Sequence, residues 1–311
     1  MSDKNKLTIV MYHYVRPIKN SLYPGIKGLE LEGFRRQLDY LSDNYSIITA
    51  EQLISNSLNG EHLPKNSCYL TFDDGFKDHI KYVMPELLIR KLQGSFFPPN
   101  NAIENREMLD VHAIHFILAS TTNHKKLVLD INKISSKLGF SISGINSLQK
   151  IWAVPCDYDN AQTMYVKHML QHVLPEHDRS KIISSLFKKY LGKNIKEFAE
   201  ELYMSMSDIK NLVNNGMYVG SHGSSHRWLN KELKSYQEKD IKLSLKFLKK
   251  IGAPTRNWIM CYPYGGYNED TLNILKSYNC SIGLTVKPGL ANLKPSKMLE
   301  LNRFDTNDFP Q

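Results

Sequence analysis

Short apolar, strand-like runs alternate with amphipathic helical stretches along most of this chain, and that alternation limits the fold more than any other feature. Strands are predicted at Leu7–Met11, Tyr45–Thr49, Cys68–Phe72, Ser95–Phe97, Tyr218–Ser221, Trp258–Tyr262, Ser281–Val286 and Met298–Phe304. Helical periodicity fills many of the gaps, at Gly33–Ser42, His79–Lys91, Ser207–Asn215, Leu233–Ile251 and Glu269–Tyr278. Phe34, Leu38 and Leu41 mark one apolar face; Ile241, Leu243, Leu245, Leu248 and Ile251 mark another. Strand–helix repetition implies an α/β protein with a mostly parallel sheet and right-handed crossovers. About seven or eight such strands suggest an irregular (β/α) barrel, closed or nearly so.

One stretch breaks the rhythm. Between residues 101 and 203 the pattern is helical only, at Val111–Ser120, Leu127–Leu138, Ala161–Val173 and Arg179–Leu191. An all-helical subdomain inserted into the barrel is expected there, leaving residues 1–100 and 204–311 as one discontinuous domain. Pro98-Pro99 and Asn100-Asn101 mark the exit into it. The insert reads either as a lid or partner surface, or as packing without catalytic residues. His168 and His172 within it have the i, i+4 spacing of a metal pair, but no acid stands in a matching position, so a second metal site is not expected.

With 311 residues, 41% hydrophobic and 23% charged, the chain has the composition of a soluble globular protein. Nothing approaches the run of about 18 apolar residues that spans a bilayer. The first thirteen residues read as a strand running into polar His13 rather than as a signal peptide, so a cytoplasmic protein is expected. Cys68, Cys156, Cys261 and Cys280 form no CxxC pair, which argues against a disulfide framework or a thiolate zinc site and for buried free thiols. The net charge of +9 comes from lysines spread along the whole chain. No basic stripe interleaved with aromatics stands out, so nucleic acid is not an expected partner. An anionic substrate such as a phosphate-linked sugar is the milder reading of that charge, and a solvated lysine-rich surface the plainer one.

The chemistry gathers at predicted strand ends. Ser67-Cys68-Tyr69-Leu70-Thr71-Phe72 stops in Asp73-Asp74-Gly75. Two acids closing a strand must be solvated, paired or metal-bound. His222-Gly-Ser-Ser-His226 follows Tyr218–Ser221 and sets two imidazoles one helical turn apart, so that both could reach one point. One carboxylate oxygen and two imidazole nitrogens leave coordination positions open, the pattern of a catalytic divalent-metal site. His13 follows the first strand, Tyr262-Pro263-Tyr264-Gly265-Gly266 another, and Arg303 and Asp305 lie at or just beyond the last. In parallel α/β barrels the C-terminal strand ends share one face, where catalysis sits. Tyr12, Tyr14, Trp228, Tyr262 and Tyr267 could stack on sugar rings, or could pack in the core.

Thr71-Phe72-Asp73-Asp74-Gly75 and His222-x-x-x-His226 resemble the first two motifs of the polysaccharide deacetylases, the NodB-homology carbohydrate esterases, over all the strand-rich parts of the chain. The resemblance implies Asp73 as general base and Asp74, His222 and His226 as ligands of a divalent metal, commonly zinc, with cobalt, nickel or manganese as alternatives. Tyr262-Pro263-Tyr264-Gly265 resembles the third motif, whose Tyr backbone N–H helps form an oxyanion hole; Tyr264 is the match. Three departures stand out. Gly223 replaces the usual Ser or Thr after the first His, with Ser224 or Ser225 as possible support for the loop. Cys261 occupies the motif-three Arg position, and Arg303, fixed by Asp305, is the candidate to replace it. The usual C-terminal Leu-x-His is absent, and Val10-Met11-Tyr12-His13-Tyr14-Val15 resembles that element in circularly permuted members, which makes His13 the candidate general acid.

The implied activity is metal-dependent hydrolysis of an N-acyl group, N-acetyl foremost, from an amino sugar. The expected substrate is a glycan or its lipid- or nucleotide-linked cytoplasmic precursor, in the making of a surface polysaccharide. A deformylase or small-molecule amidohydrolase would use the same residues, and a catalytically inactive carbohydrate-binding relative is the alternative of a different class.

Overall fold

The computed structural model describes residues 6–156 and 159–311. Its strands are β1 (Lys6–Tyr12), β2 (Val15–Arg16), β3 (Leu29–Glu30), β4 (Ser46–Ile47), β5 (Ser67–Asp73), β6 (Ser95–Phe97), β7 (Tyr218–Val219), β8 (Trp258–Cys261), β9 (Cys280–Leu284), β10 (Ala291–Asn292) and β11 (Phe304–Asp305). Its α-helices are α1 (Leu31–Asn44), α2 (Ala50–Asn59), α3 (Met84–Ile89), α4 (Asn100–Glu104), α5 (Asp110–Ala119), α6 (His124–Lys137), α7 (Ile142–Trp152), α8 (Ala161–His168), α9 (Glu176–Leu191), α10 (Ile195–Leu202), α11 (Met206–Asn214), α12 (Lys234–Ile251) and α13 (Glu269–Ser277).

The chain is a mixed α/β protein with a mostly parallel sheet, as its alternation of elements requires. All seven residues of β5 are buried, the pattern of a strand covered on both faces. It pairs in parallel with β1, β4 and β6, and β6 pairs in parallel with β7. β8 pairs in parallel with β9, and β11 with β1; β10 runs antiparallel along the start of β1. Two further junctions are single bridges, Ser221 to Met260 and Leu284 to Leu301. Between the strands Leu7, Ile9, Tyr69, Phe97, Ile259, Ile282, Leu284 and Leu301 form a continuous buried core.

Residues 6–17, 28–107 and 200–311 form one compact unit, and residues 18–27 with 108–199 a second. The second is helical. Ile114, Phe116 and Ile117 of α5 are buried, as are Leu127 and Ile131 of α6, Val166 of α8, and Ile183 and Leu186 of α9. Tyr23 sets its edge against Phe116 at 5.1 Å between ring centres.

Several elements differ from the sequence expectation. Met298–Phe304 is not one strand. Leu301 N donates to Gly283 O, Arg303 N donates to Lys287 O, and Phe304–Asp305 then pairs with β1. A segment that changes partners within four residues cannot keep a ladder with either. His79–Lys91 begins as a π-turn, His79–Val83, before α3. Pro85 has no N–H to give the carbonyl one turn back, which explains the local i→i+5 pattern. Helices α2, α7 and α10 were not anticipated. The cysteine expectation holds at Cys68, Cys261 and Cys280, which are buried; Cys156 is exposed.

Candidate active site

β5 ends at Asp73, where the chain turns sharply. Asp74 and Gly75 both take left-handed conformations, φ +73° and +69°. Aspartate tolerates this region better than most residues. At Gly75 a Cβ would lie 2.7 Å from Pro98 Cβ, so only glycine fits. The turn leaves the two carboxylates pointing to different partners.

Asp74 meets the histidines. Its Oδ1 lies 3.4 Å from His222 Nε2 and 3.2 Å from His226 Nε2, and all three residues are buried. The histidines are not on a helix, contrary to the expectation from their spacing. They stand in a loop after β7 in which Gly223 and His226 take φ of +69° and +53°. The loop, not a helical turn, brings the rings to 4.8 Å between centres. A polar loop whose amides bond to neighbours overrides a weak local helical preference.

The donor set fits a divalent metal. His222 Nδ1 donates to Cys261 O at 2.8 Å, which fixes the tautomer and leaves the Nε2 lone pair facing Asp74. Such an outer hydrogen bond is the usual companion of a metal-ligating imidazole. Burial opposes a charge on His222, yet Cys261, Asp74 and Asp73 around it outweigh burial and raise its pKa, so this point of the pocket favours positive charge. A second grouping, Asp73, His222 and Cys261, also lies within ligand distance, but both oxygens of Asp73 are already engaged.

Asp73 is held by Arg303. Nη1 donates to Oδ1 at 3.0 Å and Nη2 to Oδ2 at 2.8 Å, a bidentate fork. Arg303 is fully buried and is itself fixed, Nε donating to Thr285 O at 2.8 Å and Nη1 to Thr71 Oγ1 at 3.1 Å. The Cys261 thiol donates to Asp73 Oδ2 at 3.3 Å. Burial pushes the Asp73 carboxyl up, but Arg303, His222 and His13 outweigh it and bring its pKa below the ordinary carboxylate value. Asp305 does not fix Arg303. It caps the short turn Thr306–Asp308, accepting from the Asn307 amide at 2.9 Å, and among the described residues it makes no ion pair with Arg303.

His13 follows β1 and is partly exposed, with Nε2 3.9 Å from Asp73 Oδ2. Its carbonyl accepts from His79 Nε2 at 2.9 Å. His79 is buried, and burial lowers its pKa to about 4, so it is a neutral brace. Tyr264 follows β8 in a left-handed conformation, φ +55°. Its ring stacks on Trp228 at 3.6 Å and meets His226 edge-on at 4.6 Å. Of the other aromatics, Tyr12, Tyr14 and Tyr262 are core residues; Tyr12 stacks on Phe72 at 5.0 Å. Only Trp228 and Tyr267 of that group keep partial exposure.

His13, Asp73, Asp74, His222, His226 and Tyr264 thus lie within one unit, at or just beyond the C-terminal ends of parallel strands, and Arg303 of the same unit stands just ahead of β11. Sequence reasoning missed His79 and also Asp240, a buried acid on α12 whose carboxylate accepts from the Ser224 and Ser225 amides. The signal was available: Gln237, Asp240 and Ser244 interrupt the buried face of an otherwise apolar stripe.

The fold thus gathers acids and histidines at its strand ends. Residues 168–283 match the sequence profile of the family described as Polysaccharide deacetylase. The match covers a little over a third of the chain, and over that stretch the chain is similar to the family. Solved structures share the fold. The deacetylase PplD of Streptococcus pyogenes is 17% identical, with 96% of this chain and 92% of that one covered, at a TM-score of 0.59. IcaB of Ammonifex degensii is 18% identical, with 96% and 91% covered, at 0.56. A de-N-acetylase of Aggregatibacter actinomycetemcomitans is 12% identical, with 97% and 96% covered, at 0.57. No curated protein matches the chain by sequence.

Proposed function

We propose that the chain is a metal-dependent N-deacetylase of a glycan, with Asp74, His222 and His226 as the metal ligands. One observation carries the reading: a carboxylate oxygen and two imidazole nitrogens converge beside a second carboxylate that a buried arginine holds ionised. When bound there, a divalent metal, zinc in the first instance, supplies Lewis acidity and a more acidic water. Cobalt, nickel or manganese would suit the same ligands.

The chain's own residues divide the proton work. Asp73, kept ionised by Arg303, takes the proton of the attacking water on a carboxylate oxygen. Its fork to Arg303 holds that carboxylate in one orientation, which the bidentate geometry favours over any single bond. The Tyr264 backbone N–H stabilises charge on the acyl oxygen, a role worth roughly 3–4 kcal/mol per well-placed donor. His13, with Nε2 3.9 Å from Asp73, protonates the departing nitrogen. His79 braces the His13 backbone, and Arg303 takes the place of the arginine absent at Cys261.

The acyl group is taken to be acetyl. The similar S. pyogenes deacetylase is described in complex with acetate, the acid that N-deacetylation would release. An N-acetylated polysaccharide is the broad substrate class. A lipid- or nucleotide-linked cytoplasmic precursor is the narrower form, and residues 101–203 are taken as an insertion in the catalytic domain. The decisive experiment assays metal content together with acetate and formate release on polymeric, lipid-linked and nucleotide-linked amino sugars. Acetate release that is lost on chelation and restored by zinc or cobalt is expected. Formate release alone, or turnover indifferent to chelation, would overturn the proposal.

A further inference from the structure

Gly223 follows the first histidine of the loop, and a buried carboxylate from outside the loop holds the residues that come next. Asp240 projects from the buried face of α12 beneath the loop. Its Oδ2 accepts from the Ser224 amide at 2.7 Å. Its Oδ1 accepts from the Ser225 amide at 3.1 Å and from the Ser225 hydroxyl at 2.7 Å. These are charge-assisted bonds to a buried carboxylate, short and directional. They engage two consecutive amides, so they fix the Gly223–Ser224 and Ser224–Ser225 peptide planes, the middle two of the four between His222 and His226.

Gly223 completes the fit. It sits at φ +69°, and a Cβ there would lie 2.9 Å from Asp240 Oδ2. The missing side chain therefore makes room for the carboxylate as well as permitting the backbone conformation. The opposite side of the loop is tied to α4. Asn101 N donates to Ser224 O at 3.0 Å, Ser224 Oγ donates to Asn101 Oδ1 at 3.0 Å, and Asn100 Nδ2 donates to Ser224 Oγ at 3.0 Å. The Ser244 hydroxyl, one turn on from Asp240, donates to Asn100 Oδ1 at 3.3 Å and closes the network.

From this geometry we infer that Asp240 is a positioning residue for the metal ligands: it sets the peptide planes that aim His222 and His226 at one point, with Gly223 as its steric complement. The inference rests on the reading of Asp74, His222 and His226 as metal ligands. Outer groups that orient metal ligands typically alter affinity by roughly 10- to 100-fold when removed.

The test measures zinc affinity of the full-length chain by competition with a chromophoric chelator, and the visible spectrum of its cobalt form. Asp240→Asn puts an NH2 group against one of the two amides. Zinc affinity is expected to fall roughly 10- to 100-fold, with altered intensity and position of the cobalt bands. Gly223→Ala should reproduce both changes, and the double variant should lose less than the product of the two single losses, because both disturb one contact. If Asp240→Asn does not fold, Gly223→Ala carries the test alone. Wild-type affinity and an unchanged cobalt spectrum in the soluble variants would overturn the inference while leaving the metal reading intact. A wild-type chain that binds neither ion would overturn both.

Discussion

Asp73 and Asp74 are neighbours in sequence and opposites in environment. The left-handed turn at Asp74 sends one carboxylate to Arg303 and the other to the histidines. Each role is separately testable. Asp73→Asn should keep its metal, since it removes no ligand, while kcat falls by roughly 10²–10⁴, the usual contribution of a positioned acid–base group. Unchanged turnover at normal metal content would remove Asp73 from the base role. Arg303→Met is expected to cost about 3–5 kcal/mol of stability, because it strands a buried carboxylate. Urea unfolding of the metal-free protein measures it, and a loss below 1 kcal/mol would show that Asp73 is solvated or neutral instead. At this scale much was legible in the sequence. The acid pair, the histidine pair and Tyr264 are local motifs. Arg303 was found only as the strand-end cation able to reach Asp73. Asp305 failed because its nearest donors are local: an Asx-type cap at Asn307 outcompetes a distant guanidinium.

Among the elements, the junctions matter more than the strands. β7 is two residues long, and its continuation crosses to β8 by a single bridge at Ser221. Gly220 makes the crossing possible, because a Cβ there would lie 2.5 Å from the Phe97 ring and 2.7 Å from Ile259 O. Gly220→Ala is therefore expected to destabilise the protein by about 1–3 kcal/mol, the usual cost of overpacking. It should also weaken metal binding, since the histidine loop begins two residues later. Thermal unfolding and chelator competition would check the two effects, and a variant as stable as wild type would refute the steric argument. Periodicity located most helices to within a residue or two. It mislocated the last strand, whose residues bond first to β9 and then to β1. Which strand a segment pairs with is a long-range matter that its own side-chain pattern does not encode.

For the whole molecule, burial couples the site to pH. His79 has a pKa of about 4 in the folded chain against an ordinary value of 6.5. Between those values the unfolded chain binds the extra proton, so stability rises with pH there. The contribution is complete above about pH 6.5 and lost as pH falls toward 4, a span worth roughly 3 kcal/mol. Asp78, raised to about 6 by burial against the pull of Arg16, acts with the opposite sign in the same window. The difference between wild type and His79→Phe isolates the histidine: the wild-type advantage in unfolding free energy should shrink as pH falls from 7 to 4. An advantage constant across that range would mean that His79 is not held neutral. What the sequence determined by itself was the chemistry available and the class of fold, since residue identity fixes which groups can ligate or carry protons, and periodicity fixes which segments become strands. The tertiary structure decided the partners. The family match spans 168–283 and holds His222, His226 and Tyr264, whereas His13, Asp73, Asp74 and Arg303 lie outside it. Hydrogen bonds and ion pairs act over about 3 Å of space regardless of sequence separation. Only the folded chain could bring residues 13, 73, 240 and 303 to one site, or show that a buried aspartate holds the loop between the histidines.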